Sequence, residues 1–211
     1  MSQWHRSRKM TVCIDALKTQ GVYRVLLEAM SHPGRLLTLP ETRKPYKKHT
    51  SLFLVLGTLL DHEVSVSVIS HNGGKALEEQ IVMMTKAHPV KLPKADYVIV
   101  KGANSFGKIL EAKRGTLEFP DGGATALYLI DPDTTPTEGV NSVSLQGPGI
   151  PPDVQSVPEM NFIDTEELAR IKQINAEFPL GVDCIFLTEE AEVMCIPRST
   201  QIVMNVIPWA M

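Results

Sequence analysis

Apolar residues follow a helical spacing in some segments of this chain and an extended spacing in others. In residues 20–31 they recur at i, i+3, i+4 and i+7, which predicts an amphipathic helix ending before Pro33 and Gly34; the positions are Tyr23, Leu26, Leu27 and Met30. Residues 52–60 are nearly all apolar and predict a buried helix. Residues 64–69 read Val-Ser-Val-Ser-Val-Ile, which predicts a strand with one solvent-exposed face.

The same alternation continues to the end of the chain. Helices are predicted at residues 75–86, 105–113 and 165–176, the last with Asp164 as its N-cap. Strands are predicted at residues 35–39, 97–100, 124–130 and 142–145, with loops at residues 131–139 and 148–158. Strands that alternate with helices in this way predict an α/β sandwich with a mixed sheet.

Two strands near the carboxyl terminus bring a carboxylate and a guanidinium to the ends of neighbouring elements. Residues 184–187 and 193–198 predict an antiparallel pair joined by a short acidic hairpin. Asp183 enters the first strand from a turn constrained by Pro179 and Gly181, and Arg198 leaves the second strand. The Arg198 fork could hold a phosphate or phosphonate. It could equally form a structural ion pair with Asp183, which is the interpretation that we favour.

Composition and charge place the chain among ordinary globular proteins. The 211 residues suit one domain, predicted at residues 13–211 after a flexible basic leader at residues 1–12. The net charge of −3 argues against a nucleic-acid partner, and no apolar run is long enough to span a membrane. The three cysteines form no Cys-x-x-Cys motif, so we expect free thiols in the cytoplasm.

Two further segments are candidates for anion binding. Gly147, Pro148 and Gly149 follow a predicted strand and could bring backbone amides close to a phosphate, although Pro148 removes one amide and the P-loop pattern is absent. A tight turn is the simpler interpretation. The basic residues 43–49 could attract an anionic substrate or an acidic partner, or form a solvated loop.

No self-sufficient catalytic motif occurs in the sequence. The six histidines lack metal-ligand spacing, and a serine-hydrolase elbow is absent, so we predict no metal site. Lys101 follows a predicted strand and is the one candidate for a Schiff-base lysine, but nothing around it marks such a role. We therefore predict no cofactor.

Five segments together resemble a known family. The carboxyl-terminal residues read FPLGVD at 178–183 and IPRST at 196–200. Earlier segments read YRVLLEAMSHPG at 23–34, GTLEFPDGGATAL at 115–127 and LQGPGI at 145–150. In this order and spacing they resemble the H subunit of the bacterial carbon–phosphorus lyase system, which catabolises phosphonates.

The resemblance implies a fold, partners and a reaction. It implies a three-layer α/β/α domain, similar to the large domain of pyridoxal-phosphate-dependent transferases without the cofactor. It implies a homodimer that assembles with the G, I and J subunits, in a complex that couples methylphosphonate to C1 of the ribose of ATP and releases adenine. The product is α-D-ribose 1-methylphosphonate 5-triphosphate, and the nucleosidase-type chemistry is associated mainly with the I subunit.

Three hypotheses follow from these observations. In the first, the chain is mainly a structural subunit that directs assembly of the synthase and is not catalytic alone. In the second, it is an independent small transferase or phospho-ligand-binding homodimer that uses Arg198, Asp183, Gly147 and Gly149. In the third, it is a stand-alone dimer with a diverged role.

Overall fold

The computed structural model describes residues 16–40, 50–72, 74–130, 143–151 and 163–204. The predicted leader, the basic segment at residues 43–49 and the loop predicted at residues 131–139 lie outside these ranges. So does most of the proline-rich segment predicted at residues 148–158. Among the described helices, none combines the length and the apolar character that crossing a membrane would need.

A mixed sheet runs through the centre of the described residues. Its strands are β1 (Leu37–Thr38), β2 (Ser65–Ile69), β3 (His88–Pro89), β4 (Tyr97–Lys101), β5 (Thr125–Ile130), β7 (Asp183–Thr188) and β8 (Glu192–Ile196). Their order in the sheet is β1-β8-β7-β5-β4-β2-β3. Strands β7, β5, β4, β2 and β3 run parallel, whereas β8 is antiparallel to β7 and β1 is antiparallel to β8, which confirms the predicted mixed sheet and closing antiparallel pair.

Two remaining strands form a separate antiparallel pair outside the main sheet. These are β6 (Val143–Gln146) and β9 (Gln201–Met204). The sequence pattern predicted β6, but it did not separate β6 from the main sheet and it missed β9. Since β9 is only four residues long and follows Pro197 closely, its strand character comes from pairing with β6 rather than from a strong local signal.

Consecutive residues of the central strands contribute to two different apolar clusters. Ile99 and Leu127 belong to one cluster, whereas Val98 and Ala126 belong to the other. Successive side chains of a strand point to opposite faces, so each face of the sheet has its own core. Parallel strands covered on both faces read as continuous apolar runs, which is the pattern of β4, β5 and β7.

Helices cover one face, and a helix with the β6–β9 pair covers the other. The first face packs on α1 (Ala16–Ser31), α2 (Thr50–Leu59) and α3 (Gly74–Thr85). The second face packs on α4 (Thr165–Ile174), β6 and β9. The flanked sheet agrees with the predicted sandwich, except that the second outer layer contains strands as well as a helix. The likeness to the transferase large domain stays a prediction.

The first helix is confirmed, but its predicted apolar stripe is partly wrong. Val22, Leu26 and Ala29 are buried at a spacing of i, i+4 and i+7. Tyr23 and Leu27, which were predicted to face the core, are 49% and 52% exposed. The helix therefore buries the stripe of Val22, Leu26 and Ala29, because the spacing alone allows two neighbouring stripes and packing selects one of them.

Two other predictions differ from the structure. Strand β2 has no solvent-exposed serine face along its whole length, because Ser67 is buried between the covering layers. The helix predicted at residues 105–113 is only a short 3₁₀ turn, Lys108–Glu111, which begins after Gly107 in a left-handed conformation. The N-cap prediction is confirmed, since the Asp164 carboxylate accepts a hydrogen bond from the Glu166 amide.

Cys184 and Cys195 lie on adjacent strands but on opposite faces of the sheet. The register pairs Cys184 with Ile196 and Ile185 with Cys195, and each thiol belongs to a different core. Both thiols are free and buried. Burial, with the nearby Asp183 carboxylate, raises the pKa of both thiols.

We expect both thiols to be unreactive in the folded protein, because a buried thiol with a raised pKa forms little thiolate. The measurement is labelling of a Cys13→Ser variant with a chromogenic thiol reagent at pH 7, before and after denaturation. Both thiols should react only after unfolding. Rapid labelling of one thiol in the folded variant would contradict the described packing.

Asp96 joins β2 to β4 at the end where the parallel strands begin. Its carboxylate accepts hydrogen bonds from the Ser65 amide (2.9 Å), the Ser65 hydroxyl (2.5 Å) and the Lys113 ammonium (2.5 Å). Partial burial raises the pKa of Asp96, but the hydrogen bonds from Lys113 and Ser65 outweigh it, so the pKa lies below its usual 3.8. The ionised form therefore stabilises the fold.

We expect Asp96→Asn to lower the free energy of unfolding by about 1 kcal/mol at pH 7, since solvent screens a pair this exposed. The pKa is lowered in the folded state, so the contribution is complete above about pH 4 and is lost as the pH falls through the folded pKa. Urea unfolding from pH 7 to pH 2.5 measures this. Glu79→Gln, an exposed change on α3, is the control. If the stability difference between Asp96→Asn and the unmodified chain stayed the same at pH 2.5, the stabilising role of the ionised Asp96 carboxylate would be contradicted.

Candidate functional site

The structure brings together the carboxylate and the guanidinium that the sequence selected. The Arg198 amide donates to Asp183 Oδ1 at 2.8 Å, and the Arg198 Nε and Nη2 donate to Asp183 Oδ2 at 3.0 and 2.6 Å. Their side chains are only 13% and 26% exposed. Asp183 begins β7 and Arg198 follows β8, so the pair closes one end of this antiparallel hairpin.

The third nitrogen of the guanidinium also has an internal partner. Arg198 Nη1 donates to the Pro120 carbonyl oxygen at 2.6 Å. A Cβ added at Gly123 would collide with Nη1 and with the Gly181 carbonyl oxygen, so the absence of a side chain there lets three segments meet. Each nitrogen of the guanidinium therefore donates to an acceptor within the protein.

The turn before Asp183 is held by the same group of contacts. The Asn175 side chain accepts from the Val182 amide at 2.8 Å and donates to the Val182 carbonyl at 3.0 Å. Gly181 has a φ of 147°, and a Cβ there would overlap Asn175. This conformation favours glycine, which explains the glycine of the FPLGVD segment by backbone geometry.

Gly147 and Gly149 also lie at close approaches of the backbone. Gly147 follows β6 with a φ of 136°, and a Cβ there would lie 3.0 Å from the Ser199 carbonyl oxygen. A Cβ at Gly149 would collide with the Ser31 carbonyl oxygen at the end of α1. The loop therefore packs against the residues that follow Arg198 and against α1. A ligand role for Asp183, Arg198, Gly147 and Gly149 stays a prediction.

A second polar region lies at the opposite end of the parallel strands. A crevice of about 200 Å³ is lined by residues that end or follow β2, β4, β5 and β7: Ser70, His71, Asn72, Lys101, Gly102, Leu129 and Glu189. In open α/β sheets, ligands bind outside the carboxyl ends of the strands. Of these residues, the sequence pattern singled out Lys101 alone, as a candidate Schiff-base lysine. The others lie in no local motif from which a site could be predicted.

Buried hydrogen bonds tie α4 to the loop that leaves β4. The Tyr128 hydroxyl donates to Glu167 Oε1 at 2.7 Å, and Arg170 Nη1 donates to Glu167 Oε2 at 3.1 Å and to Asn104 Oδ1 at 3.0 Å. Glu167 is fully buried, and burial raises the pKa of Tyr128 well above its usual value. The network positions the segment after Lys101 beside the crevice.

The described residues contain no group of side chains arranged to bind a metal ion. No cluster of three or more His, Cys, Asp or Glu side chains there could hold a metal ion. The described fold and sites thus define an α/β protein with a mixed sheet, a braced cluster where the parallel strands begin and a small crevice where they end.

Comparison with known proteins identifies the family. The family described as "Bacterial phosphonate metabolism protein (PhnH)" matches residues 14–203. The chain is 31% identical over 190 residues, which are 89% of this chain and 87% of the relative, to "Putative C-P lyase subunit protein HtxG" of Stutzerimonas stutzeri. The chain belongs to the PhnH family, and the resemblance read from its sequence is confirmed.

We expect Arg198→Lys to lower the free energy of unfolding by about 2–3 kcal/mol. Lysine keeps the charge but cannot make the three separate contacts of the guanidinium, and hydrogen bonds to charged groups are worth about 1.5–3 kcal/mol. Chemical unfolding at pH 7 measures the change. Arg24→Lys on the exposed face of α1 is the matched control and should change stability by less than about 0.5 kcal/mol. If the two variants were equally stable, the Arg198 contacts would contribute little to stability, and a ligand role for Arg198 would be favoured instead.

Proposed function

We propose that this chain is a non-autonomous subunit of the carbon–phosphorus lyase machinery for phosphonate catabolism. It supports the formation of α-D-ribose 1-methylphosphonate 5-triphosphate from ATP and methylphosphonate, with release of adenine. It acts mainly as a structural subunit, as a cytoplasmic homodimer that assembles with the G, I and J subunits. Membership of the PhnH family and similarity to a protein named as a C-P lyase subunit support this proposal.

The hydrogen bonds that Asp183 and Arg198 make within the protein also favour an assembly role. Asp183 and Arg198 are paired with one another, and Arg198 additionally holds Pro120. A catalytic or ligand-binding arginine would keep donors directed at its ligand. In this structure the guanidinium holds two loops in place instead, and those loops carry the surface that supports the proposal most directly.

Two neighbouring loops expose large apolar side chains. Leu117 and Phe119 are 78% and 62% exposed, and Phe178 in the other loop is 64% exposed. The loops are joined by the Arg114–Glu177 ion pair (2.8 Å) and by the hydrogen bond from the Gly181 amide to the Arg114 carbonyl. Large apolar side chains exposed together are typical of protein–protein contact surfaces. We call Leu117, Phe119 and Phe178 the apolar loop surface, and we assign it to contact with a partner subunit.

The test is co-expression of the tagged chain with the G, I and J subunits from the same source. We expect a stoichiometric complex that releases adenine from ATP and methylphosphonate. A Leu117→Ser/Phe119→Ser variant should recover the partners about tenfold less well or worse, because each lost anchor costs more than about 1 kcal/mol of binding. Its melting temperature and its mass by light scattering should remain those of the unmodified chain.

Leu17→Ser is the matched control, since Leu17 is 76% exposed and belongs to α1 rather than to either loop of the apolar loop surface. Partner recovery should not change in this variant. Full recovery of the partners by the double variant would contradict the assigned surface. Recovery of the unmodified chain without any partner would contradict the assembly role. Loss of adenine release in Arg198→Ala, with a stable and complete assembly, would instead support the alternative of a ligand-binding transferase.

A further inference from the structure

We propose that the crevice at the carboxyl ends of β2, β4, β5 and β7 binds a small ligand through an oxyanion group, with the Lys101 ammonium as its counter-ion. This site is separate from the Asp183–Arg198 pair, which lies where β7 begins. The proposal goes beyond the assembly role and does not depend on it.

The crevice lies where the connections of the sheet change sides. After β2 the chain forms α3, whose buried residues Leu77 and Ile81 pack on the first face. After β4 the chain forms the Lys108–Glu111 turn, whose Ile109 packs on the second face. Since β2 and β4 are neighbours, their connections diverge and leave an opening between them, which is the position where open α/β sheets bind ligands.

Lys101 is distinguished from the other partly buried cations. The described residues contain five partly buried Lys and Arg side chains: Lys101, Lys113, Arg114, Arg170 and Arg198. The last four each form an ion pair with a carboxylate. Lys101 forms no hydrogen bond or ion pair through its side chain with any described residue, although it lines the crevice. An ammonium on a partly buried side chain that has no partner among the described residues is a ready binding group for an anion.

The other groups of the crevice indicate a small polar ligand. Asn72 and His71 add polar groups beside Lys101. Glu189 also lines the crevice, and the Asn72 amide can accept from and donate to hydroxyl or amino groups of a ligand. The volume of about 200 Å³ is below the range of about 300–1,000 Å³ of pockets for drug-sized molecules. The chemistry therefore fits a small phosphate, phosphonate or carboxylate compound that also carries hydroxyl or amino groups.

The backbone around Lys101 keeps the crevice open. Gly102 has a φ of 109°, and open space lies where its side chain would be. Phe106 has a φ of 56°, which is uncommon for a residue other than glycine, and its ring lies 5.6 Å from that of His71. The segment after β4 thus places an aromatic ring beside His71, which lines the crevice, and leaves open space next to Lys101 at Gly102.

The test measures binding of three oxyanions to the isolated full-length chain by titration calorimetry at low ionic strength. The probes are inorganic phosphate, methylphosphonate and acetate, at concentrations up to tens of millimolar. We expect binding of at least one probe, and Lys101→Met should weaken it by about tenfold or more, as loss of a charged hydrogen-bond donor does. Lys101→Arg should retain binding to within about threefold, since the charge is kept.

Lys108→Met is the matched control, because Lys108 is exposed on the next segment and does not line the crevice. It should bind like the unmodified chain. The proposal is overturned if no probe binds, if Lys101→Met binds as well as the unmodified chain, or if Lys108→Met loses as much affinity. Preference for methylphosphonate over phosphate would identify a phosphonate as the source of the oxyanion. Since no partner subunit is present, the result is independent of the assembly test.

Discussion

Burial of both faces of the parallel strands is the constraint on which the rest of this structure depends. Strands β4, β5 and β7 carry apolar residues at nearly every position, so neither face of the sheet can be left in water. Three helices cover one face, and α4 with the β6–β9 pair covers the other. Apart from the buried Tyr128–Glu167–Arg170 hydrogen bonds, the two polar regions described above lie at the ends of the strands, where the chain enters and leaves the sheet.

The two ends of the strands are used differently. Where the parallel strands begin, charges are neutralised within the protein: Asp96 by Lys113, and Asp183 by Arg198. These contacts brace the loops that carry the apolar loop surface, so electrostatics here supports shape. Where the strands end, Lys101 remains without a partner among the described residues, beside an open crevice. This difference is the basis on which we propose protein contacts at one end and ligand binding at the other.

Signals that depend on a few neighbouring residues were predicted well. The Asp164 cap, the apolar helix α2 and the closing β7–β8 pair were each predicted by the spacing of residues close in sequence. Features that depend on packing between segments far apart in the sequence were not predicted. The exposed Tyr23 and Leu27, the buried Ser67 and the strand β9 each depend on which element covers them, and periodicity contains no information about that.

The candidate site shows the same division. The sequence by itself determined the family, the α/β class, and the proximity of Asp183 to Arg198, because turns and strand ends next to one another in the chain encode them. Only the tertiary structure decided that Arg198 also holds Pro120, that Cys184 and Cys195 face different cores, and that Lys101 lines one crevice with His71 and Glu189. The physical reason is that these contacts join segments far apart in sequence, and strand order, which sets them, follows from the burial of the whole sheet.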